Sequence, residues 1–334
     1  MEDNQLRILY YVGDYIGQFP HMMPYYKKLG GLIFITDVGA EKMFKSEYKG
    51  LNVTSDYKKV KKYNPNIIIY TDYNAWIANF PKAKNVMIFH AIDNKGYFAI
   101  KKSYNTCECF DVCLLYGEKI LKEFIANDFA IIYKIIGYPR FDEIESANTH
   151  FKEKRKIILV APTWGDLSLL KKFTDKIIEL SKYYNIIVKP HFVSATLSTS
   201  DTNQKQILKF IKEVEKNENI KIFRNLDILP LMKASDMMIS DYSGCIAEYL
   251  YFNKPIIVGD PGCVPVETQK KPDIWDVCSV CKNPENLKSI IDSQFKKDNL
   301  KKSRKEFFKK LVYDEKGSTA TERGIKIIKE LIKQ

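Results

Sequence analysis

The feature that most limits how this chain can fold is an alternation. Short, almost wholly apolar runs rich in β-branched residues are separated by amphipathic stretches. The runs are ILYYV (8–12), LIFIT (32–36), IIIY (67–70), VMIF (86–89), VCLLY (112–116) and YKIIG (133–137). A second series follows: IILVA (157–161), IIVK (186–189), IKIF (220–223), MMIS (237–240), PIIVG (255–259) and VCSVC (277–281). Runs that are apolar throughout belong to strands covered on both faces, the condition of parallel sheets. Segments such as 173–184 and 204–217 between them have helical spacing. Strands alternating with helices imply right-handed crossovers and doubly wound α/β domains.

The alternation breaks once, at DEIESANTHFKEKRK (142–156), which is polar and charged between the two series. The chain therefore reads as a Rossmann-like domain over 1–145 and a second over 146–315, with about six strands each. The helix over 316–334 is expected to cross back to the first domain; its Ile325, Ile328 and Leu331 share a face opposite basic residues. A length of 334 residues exceeds what one core usually supports, and 45% hydrophobic residues supply material for two.

The formal charge of +12 narrows the partners. Lysine-rich runs such as KKSRKEFFKK from Lys301 are either a solvated surface or an adhesive for anionic lipid headgroups. Nucleic acid is not expected, since no helix-turn-helix spacing, finger or aromatic-basic motif occurs. The opening MEDNQLRILYYV does not resemble an export signal, and no run approaches the length of a membrane span. A cytoplasmic protein, docked peripherally on the inner leaflet, is the expectation. Seven cysteines then read as reduced, buried structural thiols, including Cys278 and Cys281 of a CxxC and the cluster Cys107, Cys109 and Cys113.

Open α/β sheets bind ligands at the carboxyl ends of their strands, so the residues just after each run are the candidates for chemistry. After MMIS comes Asp241-Tyr242-Ser243-Gly244 and a helix start. Ser240, Asp241, Ser243 and Gly244 could cradle an anion there, with Glu248 one turn on to grip ribose hydroxyls; simple N-capping by Asp241 or Ser243 accounts for the same residues. Lys189 and His191 end another run and suit phosphate. His90 ends VMIF, placed as a general base or as a core histidine bonded to backbone. Lys95 and Gly96 follow in its loop. Thr163 and its neighbouring amides offer donors after IILVA, and Arg140, just past Gly137, either holds phosphate or pairs with Asp142.

Taken in order, the His90 loop, GYPRFDEI (137–144), APTWGD (161–166), KPH (189–191), the long segment 226–257 and DEKGSTATER (314–323) resemble the CDP-glycerol glycerophosphotransferase family, the teichoic-acid and capsule polyol-phosphate transferases. The resemblance implies a GT-B fold, two Rossmann-like domains facing a cleft, with no cofactor and no catalytic metal. No Asp-x-Asp occurs in the chain, in keeping with this. It implies His90 as base, His191 holding donor phosphate, Ser243 and adjacent amides as the donor turn, and Lys95 and Gly96 toward the acceptor. Gly137, Arg140, Thr163, Lys189, Ser240, Asp241, Gly244 and Glu248 complete the donor set. Ala91 stands where the family has Gly, and Lys189 where it has Arg, which keeps charge without bidentate geometry.

The implied reaction moves a polyol phosphate, glycerol phosphate first, from a CDP-activated donor to a hydroxyl of a glycan or lipid-linked acceptor and releases CMP. His90 and His191, from opposite domains, are expected to converge on the pyrophosphate. The alternatives are a GT-B enzyme acting on a UDP-sugar, of the 2-epimerase kind, and a non-catalytic basic protein binding membranes or polyanions.

Overall fold

The computed structural model describes residues 6–71, 79–92, 109–126, 131–191, 210–215, 217–265 and 269–333. The chain divides into two compact units, residues 1–143 with 310–334, and residues 144–309.

The sheet of the first unit has β1 (Ile8–Gly13), β2 (Leu32–Ile35), β3 (Val53–Thr54), β4 (Ile67–Tyr70), β5 (Lys84–Ile88), β6 (Val112–Leu115) and β7 (Tyr133–Ile135). They lie in the order β3-β2-β1-β4-β5-β6-β7, every pair parallel. The apolar runs predict six strands here, and the structure adds β3. Two residues at a sheet edge are too short to show a periodicity, so this strand is not visible in sequence. The sheet of the second unit has β8 (Ile157–Ala161), β9 (Asn185–Val188), β10 (Ile220–Ile222), β11 (Met237–Ser240), β12 (Ile256–Gly259) and β13 (Ser279–Cys281). Their order is β10-β9-β8-β11-β12-β13, again all parallel. Both orders reverse beside the first strand, at β1/β4 and at β8/β11. Ligands of doubly wound sheets bind outside the strand ends at such switch points.

The sequence pattern explains the packing. All six residues of β1 are buried, as are those of β4, β9 and β12. In the second unit, Phe173, Ile177 and Leu180 of the helix Leu170–Leu180 lie against Ile158, Val160 and Ile186. Each such side chain contributes roughly 1.5–3 kcal/mol by leaving water. Caps set where helices begin: Asp37 accepts from the Ala40 amide at 2.6 Å, and Asp56 from that of Lys58 at 2.8 Å. Thr319 and Glu322 form a reciprocal capping box at the start of the helix Ala320–Leu331.

Residues 310–334 are built into the first unit. The Tyr313 amide donates to the Tyr116 carbonyl at 2.8 Å, and Arg323 Nε to the Ile136 carbonyl at 2.8 Å. The carboxylate of Asp142 accepts the amides of Ala320 at 3.1 Å and Thr321 at 2.7 Å, so it anchors this helix. Gly137 has φ +82°, and a Cβ there would meet the Tyr313 carbonyl.

Among the described residues no helix is long and apolar enough to cross a membrane. The reading of every cysteine as buried needs correction. Cys113, Cys278 and Cys281 are buried and Cys245 is half-buried, but Cys109 and Cys263 are exposed because they lie in turns and loops outside the strands. Cys107 lies outside the described residues.

Candidate active site

In the first unit the polar groups gather where the strands end. His90 lies two residues past β5, half-buried, and its Nδ1 is 2.8 Å from the carbonyl of Thr71, the residue after β4. A carbonyl can only accept, so Nδ1 carries the proton and the lone pair of the neutral ring is on Nε2. Both neighbours of this contact are fixed. The Thr71 hydroxyl donates to Gln18 Oε1 at 2.6 Å, and the Tyr116 hydroxyl donates to the carbonyl of Phe89.

A second imidazole stands beside it. His21, in the first turn of the helix Phe19–Leu29, has its ring centroid 6.3 Å from that of His90, edge to face. Its Nδ1 is 3.1 Å from the Tyr138 hydroxyl, and Arg140 Nη1 donates to that hydroxyl at 3.3 Å. Desolvation of the His21 ring, then the charges of Arg140 and His90, hold its pKa well below the usual histidine value. Sequence reasoning did not single out His21 or Tyr138. His21 comes well after the end of β1, past the turn Ile16–Gln18 and inside a helix, so a criterion that looks just past each strand does not reach it.

In the second unit the switch point is closed by a carboxylate. Asp241, directly after β11, accepts the Thr163 amide at 2.9 and 3.1 Å through its two oxygens, and the Leu169 amide at 2.9 Å. Its side chain is wholly buried. Ser240 Oγ donates to the Ala161 carbonyl at 2.6 Å, tying β11 to β8. Lys189 is buried past β9, its Nζ 3.2 Å from the Pro190 carbonyl, and His191 follows, half-buried. Ser243 and Gly244 are also half-buried, and Glu248 is buried in the short helix Cys245–Tyr249. Burial, tempered by hydrogen bonds to Ser243 and Ser240, pushes the Cys245 thiol up to about 11.

Several details differ from the sequence expectation. Asp241 and Ser240 point inward and serve the scaffold, and the Thr163 amide is spent on Asp241 rather than kept for phosphate. The N-cap position of the helix is Gly244, with φ −63°; Asp241 does not cap it, while Ser243 Oγ accepts the Cys245 amide at 3.4 Å. That φ is open to any residue. Gly137 is covered by the returning 310–334 segment, not by a ligand loop. The Asp142 carboxylate is engaged by helix amides, and Arg140 donates to Tyr138. Lys95 and Gly96 lie outside the described residues.

A further cluster went unpredicted. Asp260, after β12, accepts from Lys271 Nζ at 2.6 Å and from the Gly262 amide at 2.8 Å. Lys271 sits over the Trp275 ring at 5.3 Å, and Trp275 packs on Tyr242 at 4.6 Å between centroids.

Two Rossmann-type units with their polar side chains collected at the ends of parallel strands define a protein of the GT-B class. Residues 101–329 match the family described as CDP-Glycerol:Poly(glycerophosphate) glycerophosphotransferase, and the chain belongs to that family. His21 and His90 precede the matched residues. A teichoic acid poly(glycerol phosphate) polymerase of Bacillus spizizenii is 24% identical over 221 residues, 59% of this chain and 52% of the relative. The chain thus spans about half the length of the curated relative it matches. The wall teichoic acid polymerase TagF superposes with a TM-score of 0.66 at 14% identity, covering 99% of this chain and 90% of that one. MnaA of S. aureus, solved with UDP, gives 0.65 at 13% identity over 98% and 97%. Both likenesses show the fold.

Proposed function

We propose that the chain transfers glycerol phosphate from CDP-glycerol to a hydroxyl of a growing polymer or other glycan or lipid-linked acceptor, releasing CMP. The observation that carries this reading is the Thr71 carbonyl on His90 Nδ1 in a member of this family. It leaves Nε2 as the basic atom, the tautomer a general base needs. In the proposed step His90 Nε2 takes the proton as the acceptor oxygen attacks the distal phosphorus. The new O–P bond forms as the bond to the CMP oxygen breaks. Lys189, His191, Ser243 and the nearby amides, with Arg140, are the groups proposed for the donor phosphates. Donors aimed at developing charge contribute about 3 kcal/mol each. Glu248 is the proposed ribose contact, and Lys95 and Gly96 remain the proposed acceptor contacts.

The charge of +12 supports action at the inner leaflet, where a lipid-linked acceptor would reside. Fold likeness does not separate this reading from a UDP-sugar enzyme, because TagF and MnaA superpose equally well; the family match favours it. The test is CMP release from CDP-glycerol with a glycerol-phosphate oligomer as acceptor, beside thermal shifts with CDP-glycerol, CDP-ribitol and UDP-sugars. His90→Gln should lower turnover by about 10²–10⁴ while the CDP-glycerol shift persists. Undiminished turnover in that variant rules out the base, and a shift with UDP-sugars alone rules out the donor.

A further inference from the structure

Among the described residues of the second unit, four large apolar side chains reach water: Trp164, Tyr183, Tyr251 and Val280. Three of them have a local account. Tyr183 lies under the Lys288 ammonium, Tyr251 packs on Phe252 and Phe308, and Val280 belongs to the edge strand β13. Trp164 is different. It is 52% exposed, and among the described residues it stacks on no aromatic ring and carries no cation. It also stands three residues past the carboxyl end of β8. Tryptophan is on average well buried, and this one is left half in water at the edge where ligands of such sheets bind.

The loop that carries Trp164 is fixed from both sides. The Asp241 carboxylate accepts the amide of Thr163, just before it, and that of Leu169, beyond it. Between these two anchors the Ser168 amide donates to the Gly165 carbonyl at 3.2 Å, and Cys263 Sγ donates to the Asp166 carbonyl at 3.5 Å. The backbone beneath the indole is thus set before a ligand binds, which lowers the ordering cost of stacking on it. The space alongside is open, since a Cβ at Gly165 would meet nothing within 4 Å.

Position then selects the ligand. β8 lies between β9 and β11, about 4.8 Å from each. Lys189 and His191 follow β9, and Ser243 and Glu248 follow β11, so the Trp164 loop leaves the sheet between groups proposed for the donor. Lys95 and Gly96, proposed for the acceptor, belong to the first unit. Phosphate, ribose and polyol have no flat aromatic face, whereas a nucleobase has one and stacks on aromatic side chains. We infer that Trp164 is the stacking surface for the pyrimidine base of the donor nucleotide. That the base is cytosine rests on the proposed function; that the indole stacks a base does not.

The experiment uses the full chain with CMP, UMP, ribose 5-phosphate and CDP-glycerol. CMP should quench the tryptophan emission of the wild type, and Trp164→Phe should remove that quench. Trp164→Ala should raise the Kd for CMP and the KM for CDP-glycerol at least about tenfold, with Trp164→Phe, which keeps a ring, in between. The kcat should stay near wild type, as when binding common to ground and transition states is lost. Ribose 5-phosphate, which lacks the base, should bind wild type and Trp164→Ala alike. Equal Kd values for CMP in wild type and Trp164→Ala overturn the inference. So does an equal loss for ribose 5-phosphate, which marks a structural role, or a raised KM for the acceptor alone. Quenching by UMP with no turnover of CDP-glycerol sinks the proposed function instead and leaves the stacking role standing.

Discussion

Asp241 and Thr163 meet across the β11/β8 switch point of the second unit, both oxygens of the carboxyl group accepting one backbone amide at 2.9 and 3.1 Å. The bond from the Leu169 amide makes the same side chain the staple of the loop that joins β8 to its helix. Two residues that sequence reading gives to the donor are thus bonded to each other.

Asp241→Ala strands two buried amides without an acceptor. At about 1–3 kcal/mol for each unsatisfied group, the loss is about 2–6 kcal/mol. Asp241→Asn should cost less than Ala, since one oxygen still accepts. Urea unfolding followed by fluorescence reports on this loop, because Trp164 lies within it. Midpoints within experimental error of wild type for both variants would show that the staple is dispensable.

The acid limb of stability should depend on Asp260. Burial opposes its charge, but the Lys271 hydrogen bond, the Gly262 amide and the charges of Lys271 and Lys172 outweigh burial and hold the carboxyl below its usual range. A lowered folded-state pKa favours the ionised form. Its stabilisation is fully present above the unfolded value of about 3.9 and is lost as pH falls through the folded value. Asp260→Asn should therefore reduce stability at pH 7 and flatten its decline below about pH 4. Parallel pH–stability curves for the two proteins would contradict this.

The glycines at the seam between the 310–334 segment and the rest of the first unit should resist substitution. At Gly324 a Cβ would lie 2.8 Å from Cε1 of the buried Tyr25 ring, and overpacking of this kind costs about 1–3 kcal/mol. At Gly137 the contact is with the Tyr313 backbone, and a positive φ of 82° adds roughly 1–2 kcal/mol for any side chain. Gly137→Ala should therefore be the more damaging. Limited trypsin digestion should release fragments of 310–334 faster from Gly137→Ala than from Gly324→Ala, and faster from both than from wild type.

Thiol reactivity should divide by burial. Burial pushes the thiols of Cys278 and Cys281 up to about 12 and about 11 respectively. With Cys245 they should resist iodoacetamide at pH 7.5 until the protein unfolds, while the exposed Cys109 and Cys263 react in the native state. Peptide mapping after timed alkylation gives the order. Early labelling of Cys278 would show that the second sheet opens locally at β13.

Much of this architecture was legible because parallel strands buried on both faces leave an apolar signature that survives without alignment. The runs at 67–70, 157–161 and 237–240 match β4, β8 and β11 residue for residue. The site was legible only as positions. Strand ends point to His90, His191 and Asp241, but nothing in the order of residues says that Asp241 turns inward or that a Thr71 carbonyl meets His90. Such contacts join residues 78 and 19 positions apart and depend on which strands become neighbours. Asp260 with Lys271 was invisible for a related reason, since its meaning comes from Trp275 and Tyr242 around it.

The first unit is discontinuous, since it needs residues 310–334 to cover Gly137 and to occupy the Asp142 carboxylate. On the ribosome the stretch 144–309 is therefore contiguous and can mature while its predecessor waits, open on one flank, for translation to pass Leu331. His90 belongs to the body that is completed last, so the group proposed as base gains its final surroundings only once residues 310–334 have been made.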